Sequence, residues 1–60
     1  MTLQDHAEAI SSAIQAAHNA GFELDNGEGE PIREMDLNSV ANGKLGDWVS
    51  IELPEATYDY

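Results

Sequence analysis

Residues 2–21 read TLQDHAEAISSAIQAAHNAG, and the spacing of the apolar side chains in this stretch decides the fold class. Leu3, Ala7, Ile10, Ile14 and Ala17 recur at intervals of four and three, which gathers them on one stripe of an α-helix. Thr2 stands where a hydroxyl can cap the first turn. Asp5, three residues on, places a negative charge where the helix dipole favours it, and Gly21 supplies a residue suited to a left-handed carboxyl cap. Phe22, just past that glycine, is placed to fold back on the last turn. The spacing therefore predicts a helix over residues 2–20 with its stripe turned to a core.

Beyond Gly21 the period changes from 3.6 to two. Phe22 and Leu24 alternate with Glu23 and Asp25 ahead of Asn26-Gly27, a dipeptide that favours a tight hairpin turn. Gly29 and Pro31 weaken any ladder through residues 28–31. A second strand is expected from about Ile32, with Met35 and Leu37 on one face and Glu34 and Asp36 on the other. Residues 38–44 then read as a loop containing Asn42-Gly43, although residues 37–41 could instead form a short helical turn. Val49, Ile51 and Leu53 alternate with Trp48, Ser50 and Glu52 until Pro54 ends the pattern, which predicts a third strand. The expected fold is α+β: one N-terminal helix packed on a three-stranded antiparallel sheet, with residues 1–60 a single domain and residues 55–60 a flexible acidic tail.

Charge sets the functional expectation. Twelve acids face only Arg33 and Lys44, for a formal net charge of −10. Six of the acids fall between Glu23 and Asp36. Direct binding to nucleic acid or to an anionic membrane is disfavoured by this excess, and a basic protein surface is the better partner. The first twenty residues contain Asp5 and Glu8 and no continuous apolar run, so they read as neither a signal peptide nor a membrane span, and a cytoplasmic location is expected.

Other chemistries find little footing. A chain of 60 residues buries one thin core, and an enclosed catalytic cleft would compete for the same side chains. Without cysteine there is no disulfide, thiolate metal site or thiol nucleophile. His6 and His18 lie twelve residues apart on one helix, about 18 Å of rise, too far to share a metal. The run from Asp25 to Glu30 superficially matches a calcium loop but puts Gly27 and Gly29 at two ligand positions. The serines sit in no nucleophile motif. No cofactor, no metal and no catalysis are expected.

In the expected sheet the open face displays Glu23, Asp25, Glu34, Asp36 and Glu52 beside Trp48 and Ser50, with Glu28 and Glu30 at the hairpin end. Alternate residues on a strand stand about 6.6 Å apart, comparable to successive phosphates on a nucleic-acid strand. A protein that holds phosphates with Lys and Arg would meet similar charge at similar intervals. An acidic surface can also serve solubility alone, but like charges on neighbouring strands repel, and exposed helix positions Ser11, Ser12, Gln15 and Asn19 are uncharged, so the charge is patterned. Trp48 can either cover an edge of the core or anchor an interface.

With its 60-residue length, expected helix-plus-sheet plan, lack of cysteine, and acids Glu23, Asp25, Glu28, Glu30, Glu34, Asp36, Asp47 and Glu52, the chain resembles the small acidic anti-CRISPR proteins of phages, the DNA-mimic type. The resemblance implies a monomeric, non-enzymatic inhibitor acting in the host cytoplasm. Its carboxylates, with Trp48, would occupy the DNA channel of a type I surveillance complex (Cascade), type I-C being the target chosen. Two other readings remain. One is an interaction module that packs through Ala9, Ala13, Ala16 and Ala20 of its helix. The other is a DNA mimic directed at a different host protein that handles nucleic acid.

Overall fold

A computed structural model describes residues 1–58. Helix α1 spans Leu3–Asn19. Its start is a reciprocal capping box: Thr2 Oγ1 accepts from the Asp5 amide at 3.1 Å, and the Thr2 amide donates to Asp5 Oδ2 at 2.9 Å. Its end is a Schellman turn. Gly21 adopts φ 95°, its amide donates to the His18 carbonyl at 3.0 Å, and the Phe22 amide donates to the Ala17 carbonyl at 2.9 Å. Of the expected stripe, Ala7 is buried, Leu3, Ile10 and Ile14 are half-buried and Ala17 is exposed.

The capping box carries a pH signature. Hydrogen bonds from the Thr2 amide and hydroxyl hold the Asp5 carboxyl below its ordinary value. A depressed folded-state pKa contributes stability that is present above the unfolded value and lost as pH falls through the folded one. Asp5→Asn should therefore lower the melting temperature at neutral pH. The difference from the parent should persist down to the ordinary carboxylate range and close only as the pH falls through the depressed folded value, where Asp5 becomes neutral. Thermal melts of the two chains from neutral to acid pH measure it, and a gap that stays constant down the series would be the contrary result.

The sheet has two strands, β1 Asp36–Ala41 and β2 Lys44–Ser50, paired antiparallel. This corrects the expected three-stranded sheet. The segment from Phe22 to Asp25 makes only an isolated bridge between Asp25 and Pro31. Pro31 has no amide to continue a ladder and Gly29 sits at φ 87°, so no strand propagates there. Residues 38–41, expected as loop or helical turn, are strand. The hairpin turn is Asn42-Gly43, with φ of 54° and 75°, the paired positive values of a type I′ turn whose twist matches that of the strands.

Register shows one offset. Asp36 pairs with Ser50, Leu37 with Val49 and Asn38 with Trp48, but Val40 pairs with Leu45, so Gly46 and Asp47 together oppose Ser39 in a β-bulge. Ser39 Oγ accepts from the Asp47 amide at 2.9 Å. A Cβ at position 46 would lie 2.7 Å from that oxygen, so any larger residue there would turn the Ser39 hydroxyl away from the Asp47 amide.

Leu37 and Val49, half-buried, occupy the helix side of the hairpin, and Ile51 beyond β2 is buried. Pairing continues one step past the strand, where the Ile51 amide donates to the Met35 carbonyl at 2.9 Å. Ser11 Oγ on the helix donates to the Glu52 carbonyl at 2.7 Å, fixing the chain that returns beneath it. The molecule is a slab measuring 38 × 23 × 13 Å. Among the described residues, no helix is long and apolar enough to cross a membrane.

Candidate functional site

The acids form several separate groups. Asp25, Glu28 and Glu30 share the loop between the helix and the sheet, which its own side chains organise. Asp25 Oδ1 accepts from the Gly27 amide at 2.6 Å, and Asn26 Oδ1 accepts from the Glu28 amide at 2.8 Å. Asn26 Nδ2 donates to Glu30 Oε1 at 3.2 Å, while the Asn26 amide donates to the Glu30 carbonyl at 3.0 Å. These Asx-type bonds, with Gly27 and Gly29 both at positive φ, give the loop a defined shape. Asp25 and Glu28 are exposed and Glu30 is half-buried.

Glu23 is occupied internally. It accepts from the Thr57 amide at 3.2 Å and from Thr57 Oγ1, and lies 3.5 Å from His18 Nδ1. Its side chain retains 17% exposure. Tyr58 Oη donates to the Leu24 carbonyl at 3.2 Å, and the phenol is pushed above its ordinary pKa by desolvation, with Asp25 and Glu23 adding to the shift. Residues 57 and 58 are thereby tied to the start of the acidic segment. Asp59 and Tyr60, also assigned to the tail, lie outside the described residues.

Glu34, Asp36, Asp47 and Glu52 are exposed along and beside the hairpin. Asp36 accepts from Ser50 Oγ at 3.2 Å across the ladder. The continuous carboxylate sheet expected from three strands does not form. Asp36 alone of its five acids lies within a strand, Glu23 turns toward Thr57, and Asp25 belongs to the loop. The outer hairpin face carries Asp36, Ser50 and Asn38 at one end and in the middle, together with three large exposed apolar side chains, Val40, Leu45 and Trp48, at 65%, 73% and 63% exposure. Sequence reasoning missed Val40 and Leu45: Val40 fell in the expected loop of residues 38–44, and Leu45 lay between that loop and the expected third strand.

A groove of about 310 Å3 runs between the carboxyl half of α1 and the returning chain, lined by Ala13, Ile14, Ala17, Phe22, Leu24 and Leu53 among others. Its walls are mostly apolar, with His18 and Glu23 as the titratable contributors. Among the described residues, no group of three or more His, Asp or Glu side chains is placed to hold a metal ion. No protein-family model, curated protein or solved structure matches this chain.

Proposed function

We propose that this chain is a non-enzymatic inhibitor that presents nucleic-acid-like negative charge to the DNA-binding channel of a basic protein, with a type I surveillance complex, type I-C first, as the target class. The observation that carries the reading is the accessibility of the charge. Asp5, Glu8, Asp25, Glu28, Glu34, Asp36, Asp47, Glu52 and Glu55 are all exposed on a chain whose only Lys and Arg residues are Lys44 and Arg33. A polyanion of this density is steered rapidly to cationic clefts and repelled by nucleic acid. The internally bonded loop holding Asp25, Glu28 and Glu30 adds preorganisation, which lowers the ordering cost of contact. Without the three-stranded sheet, the acids act as clusters spread over the slab rather than as one regularly spaced row.

A second reading is favoured by the exposure of Ala9, Ala13, Ala16 and Ala20, which leaves one side of α1 smooth enough for close helix packing. One experiment separates the two. Immobilised chain is offered purified type I-C surveillance complex at low salt, then challenged with target double-stranded DNA and, separately, with salt. Release by both supports the mimic. Binding that resists both but is lost in Ala13→Glu transfers the function to the helix, and no binding at all removes type I-C as the target.

A further inference from the structure

We infer that the outer face of the hairpin, built from Val40, Leu45 and Trp48, is a self-association surface that a second copy of this chain covers. The inference is independent of the inhibitor reading, and departs from the monomer expected from the sequence.

The patch is a product of the bulge. Trp48 and Leu45 are three residues apart, a spacing that places two side chains on opposite faces of a regular strand. Because Gly46 and Asp47 together take up the place opposite Ser39, Leu45 instead shares the face of Trp48, and it pairs with Val40. Three large apolar side chains thus line one side of a two-stranded ribbon whose other side meets the helix. Among the described residues no further layer lies over them.

Surface area points to a missing partner. The chain exposes 4698 Å2, whereas a compact monomer of its mass presents roughly 3,800 Å2. The excess, roughly 900 Å2, belongs to the whole extended chain, and Val40, Leu45 and Trp48 are the large apolar side chains of the hairpin that contribute to it. Its radius of gyration of 13.1 Å likewise exceeds the value of about 10 Å for a compact domain of this length.

Charge selects a second copy over a basic protein for this face. Within Asp36–Ser50 the charged residues are Asp36, Asp47 and Lys44, net −1, leaving −9 of the total −10 on the rest of the chain. A basic partner would be drawn to the rest. In a slab 38 Å long, much of that charge can stay farther from a hairpin contact than the screening length of about 8 Å at physiological salt. A two-fold axis sets the same Val40, Leu45 and Trp48 patch of each copy against the other, the self-complementary arrangement of an isologous dimer.

Sedimentation of the full chain tests this. Between about 10 μM and about 1 mM, the weight-average mass should rise from the 6.5 kDa of one chain toward twice that value. The rise should be larger at about 500 mM than at about 50 mM salt, because screening relieves repulsion between like-charged copies. Trp48 is the only tryptophan, so its emission should shift to the blue over the same concentration range. Trp48→Glu should hold the mass at one chain with helical circular dichroism intact, and Leu45→Glu provides the same test should the first variant unfold. A mass of one chain under every condition would falsify the inference. So would association that survives in a folded variant, or that leaves Trp48 emission unmoved, as pairing through strand edges alone would.

Discussion

Ile51→Ala should leave the domain largely unfolded at 25 °C. Only Ala7 and Ile51 are buried hydrophobic residues among the described residues, at 2% and 6% exposure, and Ile51 is by far the larger. Truncating a buried Ile to Ala costs about 2–5 kcal/mol, while a domain of this size seldom has more than about 3–5 kcal/mol in total. Ile51 also joins the returning chain to the segment before β1 through the bond from its amide to Met35. The side-chain loss therefore falls where two parts of the chain meet. Far-UV circular dichroism and urea titration report the result. A cooperative urea transition with a midpoint close to the parent's would show that stability is spread over the half-buried residues Leu3, Ile10, Ile14, Leu37 and Val49. By contrast, Val40→Ala, on the exposed face, should change monomer stability by no more than about 0.5 kcal/mol.

The second large effect concerns binding. If the inhibitor reading holds, affinity for purified type I-C surveillance complex should fall on the order of 100-fold as salt rises from about 50 mM to about 200 mM, most of it through slower association. Glu28→Gln, Glu34→Gln and Asp36→Asn combined should reproduce about a tenfold loss at low salt and flatten the salt dependence. All three residues are exposed, and an Asn at position 36 retains an oxygen to accept from Ser50, so the fold should persist. Unchanged affinity in the folded triple variant would remove this cluster from the interface. Salt would then weaken partner binding while strengthening self-association, so one titration separates the two processes.

The helix was legible because everything that specifies it is local. Its apolar spacing, its Thr2 cap and its terminal glycine all lie within one stretch, and the structure adds only the return bond from Asp5 to the Thr2 amide. The sheet was legible in part. The sequence contains two Asn-Gly dipeptides that look alike over two residues, and what separates them is their flanks. Gly29 and Pro31 interrupt any strand after the first, whereas residues 36–41 and 44–50 can form a ladder around the second. The inward alternation of Val49 and Ile51 was visible, but β2 starts earlier and ends sooner than that pattern implied. The bulge breaks period two, and its one local sign is Gly46 within a strand. Among the candidate site residues, the surface position of most acids followed from their type. The exceptions are Glu30, half-buried beside Asn26 in its own loop, and Glu23, whose partner Thr57 lies 34 residues away, beyond the reach of any local pattern.

The bond between Ser11 and Glu52 and the tie between Glu23 and Thr57 span 41 and 34 residues. Helix α1 and the hairpin, by comparison, close through neighbours, on timescales of about a microsecond and about 1–10 μs respectively. Assembly of this chain is therefore ordered by loop closure: two quick local pieces form, and the strap of residues 52–58 wraps across them last. What closes last with few buried contacts opens first. The Thr57 amide should exchange with solvent well before those of mid-helix residues, so the mouth between the strap and the acid-rich loop is where the native fold breathes.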